Sequence, residues 1–362
     1  MGKEFSLVES RRLDALRGLA ALAVVVVHQG QIFRQNPIEQ ALRFVTDLGK
    51  HGVAIFFILS GYLLARNLNS SAQTFDNYRK FMTRRFFRIY PAYLLTLIYL
   101  TLFTNVDGAN FVSHLFLVQF INNRLFGGIN YPFWSLGIEF WFYALIPLLV
   151  WYVNSKILNK LFLFAVFASL LWEALGSFCR THFGFDARYD WSSRLFILTS
   201  ITPLLLGVVL GKNSHVSSKV KLMINTLSII AICDVCLSFT PAHEGLLNNI
   251  HKLSSFAFRG SFGFLVYGCL GAKLILLSWA PTKNWDRILE RLFIKLGHIS
   301  FSVYLWHVPV LNYCNHRFGY GLGSLALAIV SILIISNISY VIVERPFIQL
   351  GRKITSSRAL KS

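Results

Sequence analysis

Ten apolar stretches, each long enough to cross a membrane or nearly so, recur along this chain of 362 residues. A helix of about 20 apolar residues spans the hydrocarbon core, and in lipid every backbone polar group must be bonded internally. A chain dominated by such stretches is expected to fold as a bundle of membrane helices. The predicted spans lie at 13–33, 51–67, 89–105, 134–153, 158–178, 192–211, 221–239, 256–280, 292–314 and 321–343.

Composition supports the same class. Hydrophobic residues make up 55% of the chain, charged residues 14%, and the mean hydropathy is +0.54. These values are typical of an all-α polytopic membrane protein and exclude an ordinary soluble globule. We therefore predict one transmembrane domain over residues 1–362. The segment 111–121 is too short to cross and is expected to lie at the interface or to re-enter between neighbours.

The basic residues predict the orientation. If the N-terminus is cytoplasmic, most of the 35 Lys and Arg fall in cytoplasmic connections and in the two tails. Positive charge accumulates on that side of membrane proteins, so both termini are predicted to be cytoplasmic. The net charge of +19 then reflects topology and contact with anionic membrane lipids, and not nucleic-acid binding.

Two ionisable residues belong to the apolar run at 16–27: Arg17 lies inside it, and His28 follows its last residue. Ionisable side chains are costly inside a membrane, so such residues are usually functional. On a helix, eleven residues nearly complete three turns. Asp14, Arg17 and His28 are therefore predicted to share one stripe, with His28 roughly 16 Å deeper than Arg17. This stripe predicts a polar path along one helix.

A second polar stripe lies in the predicted span at 134–153. Ser135, Glu139 and Tyr143 recur every four residues and so share one helix face. A carboxylate in that setting has three readings: a general base, a partner that orients His28, or the structural partner of an arginine.

A third set, Tyr304 and His307, shares a face of the predicted span at 292–314. A lone histidine on such a helix is more often a hydrogen-bonded packing residue than a catalyst. His28 and His307 together with carboxylates are also compatible with a metal site. However, the sequence has no HExxH or similar spacing, and we expect no metal.

A basic run precedes the predicted span at 89–105, and Pro91 fits the first turn of that helix. Every fourth residue of the run is basic, which predicts a cationic face at the cytoplasmic mouth of the bundle. Arginine forks are suited to phosphates, whereas the alternative is a topology signal that contacts lipid headgroups. The residues of that face are Lys80, Arg84 and Arg88, and Arg85 lies beside them.

Six short motifs, in this order, resemble the membrane-bound acyltransferase-3 family, whose members O-acetylate sugars of lipopolysaccharide, exopolysaccharide and Nod factors. They span nearly the whole chain, although each alone would be weak. Some members carry an additional SGNH esterase-like domain, which we expect this chain to lack. The motifs are LDALRG (13–18) with His28, FFILSGY (56–62), RRFFRIYP (84–91), WSLGIE (134–139), SVYLWH (302–307) and ERPF (344–347).

The resemblance implies acetyl-CoA as a cytoplasmic donor, a location in the bacterial inner membrane, and an essential pair formed by His28 and Arg17. It also implies that the arginine run clamps the CoA phosphates, and Asp14 and Glu139 join the catalytic candidates. The donor-binding candidates are Arg84, Arg85, Arg88, Ser60 and Tyr62. The candidates for binding the glycan acceptor are Trp134, Ser135, Tyr143, Tyr304 and His307.

The expected reaction transfers acetyl to a hydroxyl of O-antigen or exopolysaccharide. His28 deprotonates the hydroxyl or accepts the acetyl group itself, and Arg17 stabilises the oxyanion. The competing class is a transporter or flippase for a glycan or a lipid-linked substrate, because intramembrane charges also mark translocation pathways. The sequence shows no convincing internal repeat of the kind found in many transporters, and binding of acetyl-CoA separates the two classes.

Overall fold

The computed structural model describes residues 7–28, 52–121, 128–183, 196–212, 216–238, 261–277 and 284–357. Within these ranges the chain forms helices and turns but no strand, which confirms the all-α class. Parts of five predicted spans lie outside the described residues, namely 29–33, 51, 192–195, 239, 256–260 and 278–280.

Each of the ten predicted spans overlaps a helix. A 3₁₀ turn (Gln119–Ile121) follows α4, and a π-helical turn (Tyr340–Glu344) joins α11 to α12. The helices are α1 (Leu7–Val27), α2 (Gly52–Asn69), α3 (Phe75–Phe103), α4 (Gly108–Leu115), α5 (Phe133–Tyr152), α6 (Ser155–Phe183), α7 (Phe196–Lys212), α8 (Ser218–Ser238), α9 (Ser261–Leu276), α10 (Asn284–Phe318), α11 (Leu322–Ser339) and α12 (Arg345–Ser357).

Among the described residues, five helical segments are long and apolar enough to cross a membrane, which indicates a multi-pass membrane protein. α7 and α9 contain shorter apolar stretches. α1 carries several charged residues in its first half, so it is not among these five apolar segments. The number of ten crossings and the orientation stay predictions. The five segments are Gly52–Asn69, Phe75–Phe103, Phe133–Tyr152, Ser155–Trp172 and Leu322–Ser356.

α3 begins well before the predicted span. The Thr74 side chain accepts a hydrogen bond from the Asn77 backbone N–H (3.2 Å), and Asp76 pairs with basic residues three and four positions later. This cap and these pairs start the helix early, so the basic run forms its first half. The prediction that Pro91 opens the helix is wrong, because Pro91 lies in the interior of α3.

The short segment predicted not to cross forms α4 and the 3₁₀ turn after it. The eight residues of α4 are too few to span the hydrocarbon core. Two tyrosines of α3 hold this segment: Tyr93 donates its hydroxyl to the carbonyl of His114 (2.8 Å), and Tyr90 donates to the carbonyl of Leu115 (3.0 Å). His114 is fully buried, so the segment packs into the bundle.

α1 and α10 touch at backbone distance. A Cβ added at Gly18 would lie 2.1 Å from the carbonyl oxygen of Phe293, and one at Gly297 would lie 1.9 Å from that of Asp14. Only glycine fits at either position, as at other close crossings of membrane helices. The two helices run in parallel from this point, since His28 and His307, each ten residues further on, are in ring contact.

α2 and α7 cross in a similar way, because a Cβ at Gly61 would lie 2.2 Å from the carbonyl oxygen of Leu204. At the end of α7, Lys212 donates hydrogen bonds to the carbonyls of Val150 and Val153 at the end of α5. A lysine placed on the last carbonyls of a helix satisfies groups that have no partner within that helix. α2, α5 and α7 are thereby held as one unit.

The topology is testable by cysteine labelling. In a background free of the native cysteines, a cysteine at Ser217, between α7 and α8, should resist a membrane-impermeant thiol reagent in intact cells. A cysteine at Asn105, beyond the end of α3, should react. Both sites should react after the cells are permeabilised, which controls for burial. Reaction at residue 217 and protection at residue 105 would invert the predicted orientation.

Candidate active site

A cavity of about 420 Å³ lies within the bundle, between α1, α2, α3, α5, α10 and α12. This volume falls within the roughly 300–1,000 Å³ of small-molecule sites. One wall is apolar, with Phe56, Phe57 and Phe301 among its side chains. The lining also includes Asp14 and Arg17 of the stripe predicted on the first span and all of the stripe predicted on the fourth. Its charged side chains are Asp14, Arg17, Arg85, Arg88, Glu139 and Arg352.

Asp14 positions Arg17 within this cavity. The Arg17 Nη1 lies 3.3 Å from the Asp14 Oδ1, and the side chains are only 24% and 21% exposed. From α10, the His298 Nε2 lies 3.6 Å from the other Asp14 oxygen. The close crossing of α1 and α10 creates this second contact. The carboxylate therefore restrains the arginine while leaving part of its guanidinium directed to the cavity.

Glu139 is held by two hydroxyl groups. Tyr143, one turn further along α5, donates to the Glu139 Oε1 at 2.5 Å, and Ser60 of α2 donates a short hydrogen bond to the same oxygen. Two donors on one oxygen fix the position of the Glu139 side chain between α2 and α5. Of the three readings of Glu139, the structure gives no contact for a partner that orients His28, because the hydrogen-bond partners of Glu139 are Ser60 and Tyr143.

Arg85 and Arg88 of the basic run line the cavity. The Arg85 guanidinium lies 5.6 Å from the ring centre of Phe81 and 5.9 Å from that of Tyr143, which are cation–π distances. Its Nε is buried without a hydrogen-bond partner. A buried donor left unpaired is costly, so this atom is poised for an anionic ligand.

The predicted cationic face, Lys80 with Arg84 and Arg88, is wrong as a unit. Lys80 pairs with Asp76 at 2.5 Å, one turn before it. The Arg84 Nε donates to the Thr355 hydroxyl at 2.9 Å, and so faces α12. Arg85 and Arg88, which are three residues apart, face the cavity. The side of α3 that faces the bundle therefore differs from the side that carries Lys80, Arg84 and Arg88.

His28 lies outside the cavity lining. α1 ends at Val27, and the His28 Nδ1 lies 2.8 Å from the Val24 carbonyl oxygen. The prediction of one stripe that lines one continuous path is therefore wrong: Asp14 and Arg17 reach the cavity, whereas His28 faces the His307 ring, 4.9 Å away and edge-on. Along α1 the cavity lining extends only from Ser10 to Arg17, so it does not reach His28, the residue after the end of the helix.

Tyr304 and His307 lie between the cavity and His28. The His307 ring is fully buried, its Nδ1 donates to the Tyr304 carbonyl (2.8 Å), and its Nε2 has no hydrogen-bond partner. Tyr304 lines the cavity, and its ring lies 5.6 Å from that of His307. The Tyr304 hydroxyl donates to the Pro132 carbonyl (2.7 Å) and lies 2.6 Å from the Ser135 hydroxyl. Tyr304 therefore stands between the cavity and the histidine pair.

The remaining predicted residues divide between lining and packing. Ser60, Ser135 and Tyr143 line the cavity with Tyr304. Trp134 is outside the lining and packs edge-on against Phe57, with the ring centres 6.2 Å apart. Tyr62 is also outside the lining, and its hydroxyl accepts a hydrogen bond from Arg66 (2.6 Å).

Several residues that sequence reasoning missed take part in the site. Arg352 of α12 lines the cavity, His298 contacts Asp14, and the buried Glu344 accepts a hydrogen bond from Ser302 (3.0 Å). Glu344 lies in one of the six motifs, so the resemblance contained a signal for it. Arg352 and His298 had none, because their neighbours come from distant parts of the chain.

Two adjacent imidazoles also raise the question of a metal. His28 and His307 are neighbours, but a metal site in a protein needs three or four ligands. Among the described residues, no group of three His, Cys, Asp or Glu side chains is arranged to hold an ion. The expectation of a site without metal stays a prediction.

The sequence matches the acyltransferase-3 family, defined by an acyltransferase domain, over residues 10–343. The match covers most of the chain, and the chain belongs to this family. It includes the α1 residues Asp14, Arg17 and His28, the cavity-lining part of α3, and Glu139. It ends before α12.

Three relatives illustrate the similarity. YrhL of Bacillus subtilis (strain 168), provisionally named a peptidoglycan O-acetyltransferase, is 28% identical over 96% of this chain and 56% of its own length. The peptidoglycan O-acetyltransferase OatA of Listeria monocytogenes is 26% identical over 94% of this chain and 56% of its own. The acyltransferase MdmB of Streptomyces mycarofaciens is 38% identical over 39% of this chain and 38% of its own.

The chain thus spans just over half the length of YrhL and OatA. No solved structure shows a significant match.

The hydroxyl pair on Glu139 gives a stability prediction. Glu139→Leu should lower the free energy of unfolding by about 1–3 kcal/mol or slightly more, because it leaves the buried Tyr143 hydroxyl without an acceptor and the half-buried Ser60 hydroxyl adds less. Glu139→Gln retains an acceptor oxygen and should cost much less. Thermal unfolding in detergent measures both variants. Equal melting temperatures for the Leu and Gln variants would contradict the described hydrogen bonds.

Proposed function

We propose that this protein is an integral membrane O-acyltransferase that moves acetyl from cytoplasmic acetyl-CoA to a hydroxyl of a cell-surface glycan. The observation that carries the proposal is the convergence of Arg17, Arg85, Arg88 and the Glu139 carboxylate on one cavity, in a member of the acyltransferase-3 family. Relatives named as O-acetyltransferases support acetyl as the group and a glycan as the acceptor.

The donor is proposed to enter from the basic side of the bundle. Guanidinium forks bind phosphate through paired hydrogen bonds, and the unpaired Nε of Arg85 is available for one. Arg88 lines the same cavity. With the phosphates at these two residues, the acyl arm extends inward along the wall formed by Phe56 and Tyr304, whose rings are in edge-on contact. Arg17, restrained by Asp14, adds positive charge beside the path of this arm.

The acceptor is proposed to react near His28. The contact between its Nδ1 and the Val24 carbonyl favours a proton on that nitrogen, so Nε2 is left as the atom that takes a proton. His28 lies eleven residues after Arg17, about 16 Å along a helix. The acyl arm is therefore proposed to carry the thioester past Tyr304 to His28. There the hydroxyl oxygen bonds to the acyl carbon, its proton passes to Nε2, and the carbon–sulfur bond breaks so that the CoA thiolate leaves.

The acceptor class needs its own test. Sequence reasoning favoured O-antigen or exopolysaccharide in the bacterial inner-membrane context, whereas the names of the relatives refer to peptidoglycan. Mass spectrometry of each glycan fraction from a deletion strain, with a complemented strain as control, identifies the fraction that loses acetyl esters. If all fractions keep their normal acetylation, a cell-surface glycan is not the acceptor.

His28→Ala should lower transfer by about 100-fold or more, because a positioned base contributes roughly 10²–10⁴-fold. Glu139→Gln keeps an acceptor for the hydrogen bonds but removes the negative charge. It should reduce transfer strongly if that charge contributes to the reaction, whereas a packing role predicts little loss. Acetylated glycan is quantified at equal protein level and matched melting temperature. Near-normal acetylation in the His28 variant would remove His28 from the mechanism.

Acetyl-CoA should bind the purified protein in nanodiscs and raise its melting temperature, because a ligand of the folded state stabilises it by mass action. Arg88→Gln should weaken binding by about 10-fold or more, since a charge-assisted hydrogen bond contributes roughly 1.5–3 kcal/mol. Arg79→Gln is the matched control, because Arg79 pairs with Asp76 on the protein surface.

Absence of acetyl-CoA binding at millimolar concentration would contradict the thioester donor. That result would favour the transporter or flippase alternative, in which the intramembrane charges line a translocation path.

A further inference from the structure

α12 lies against the first half of α3 at the mouth of the cavity. Three contacts fix it there: the hydrogen bond from Arg84 to Thr355 (2.9 Å), the stacking of Phe347 on Phe87 (ring centres 6.3 Å apart), and the close approach at Gly351. A Cβ added at Gly351 would lie 2.8 Å from the Cβ of Phe87. α12 is therefore packed against α3 in a defined position.

This packing places Arg352, the neighbour of Gly351, in the same cavity lining as Arg88. The two arginines come from helices more than 260 positions apart in the sequence. The match to the family model ends at residue 343, so it does not include Arg352. The anchors of α12, not local sequence, bring the two arginines to one cavity.

The charge of the lining indicates what fits between them. Among the described residues that line the cavity, four are arginines, and two, Asp14 and Glu139, are carboxylates. Both carboxylates already have partners on the protein: Arg17 and His298 contact Asp14, and two hydroxyls contact Glu139. Glu344, outside the lining, lies near enough to Arg88 to interact with it electrostatically. The three arginines Arg85, Arg88 and Arg352 still exceed this one carboxylate, and such a concave cationic site attracts an anion.

We propose that Arg352 is a phosphate-binding residue for the acyl-CoA donor and forms, with Arg88, a clamp built from two helices. The inference rests on the proposed function and extends the donor site to α12. Arg352 is more exposed than Arg85. A cation at the open end of the cavity meets the nucleotide end of the donor, whereas the acyl end lies deeper.

A phosphate group has a second source, the headgroup of an anionic lipid. α12 is a basic helix, and such helices also bind membrane surfaces. The position of Arg352 inside the cavity lining favours the nucleotide. Lys353, the next residue, is exposed and outside the lining, so it is the matched control for a lipid contact.

The test is binding of CoA to the purified full-length protein in nanodiscs of a neutral lipid. Arg352→Gln should weaken CoA binding by about 10-fold, the effect of losing one charge-assisted hydrogen bond. Lys353→Gln should leave it within about twofold, because a surface charge outside the site contributes little. Arg352→Lys should fall between the wild type and Arg352→Gln, since it keeps the charge but loses the fork.

Acetyl-pantetheine, which lacks the phosphates, is the second probe. If Arg352 contacts phosphate, Arg352→Gln and the wild type should bind acetyl-pantetheine equally, because the interaction is already absent from the ligand. Melting temperatures of all variants in the absence of ligand identify any that fail to fold. Equal weakening of both ligands would show a general disturbance of the cavity and would overturn the proposal.

Two further outcomes separate the proposals. Wild-type protein that does not bind CoA contradicts the proposed function itself. Wild-type protein that binds CoA, with Arg352→Gln unchanged, overturns only the role of Arg352. An effect of Arg352→Gln that appears only in nanodiscs containing anionic lipid would assign the residue to a headgroup and would also overturn the proposal.

Discussion

The contact between Gly18 of α1 and Gly297 of α10 sets the geometry on which the site depends. Because neither position has a side chain, the two backbones meet, and Asp14 comes within reach of His298. The helices then continue in parallel. Ten residues further along each, His28 and His307 are in ring contact. One close crossing thus fixes both the arginine end and the histidine end of the same helix pair.

The two ends of this helix pair differ in chemistry, and the proposed function uses that difference. At one end, a cavity with several arginines and a hydroxyl-bound carboxylate is suited to an anionic donor. At the other, two imidazoles each bond a backbone carbonyl through Nδ1, and the Nε2 of His307 is unpaired. Tyr304 stands between them, fixed by Ser135 and the Pro132 carbonyl. The proposed function therefore places proton transfer and donor binding at separate sites, with Tyr304 between them.

Patterns that depend on one helix were predictable from the sequence. The four-residue spacing of Ser135, Glu139 and Tyr143 placed all three on the cavity, and each apolar stretch overlaps a helix. Patterns that depend on where a helix begins or ends failed. α3 starts early because Thr74 caps it, and α1 ends just before His28.

Contacts between distant helices were not predictable at all. The pairing of His28 with His307 needs the parallel register of α1 and α10, and the place of Arg352 needs the anchors between α12 and α3. The partners of Arg84 show the same limit, since its spacing with Arg88 indicated a shared face, whereas Thr355 of α12 determines where it points.

The central claim is that the donor lies in the cavity with its phosphates at Arg85 and Arg88 and its acyl end toward Tyr304. An electron cryomicroscopy map of the protein in nanodiscs with a non-transferable acetyl-CoA analogue tests it most directly. The account predicts phosphate density within hydrogen-bonding distance of both guanidinium groups and acyl density between Arg17 and Tyr304. Nucleotide density at any other surface, with this cavity unfilled, would contradict it.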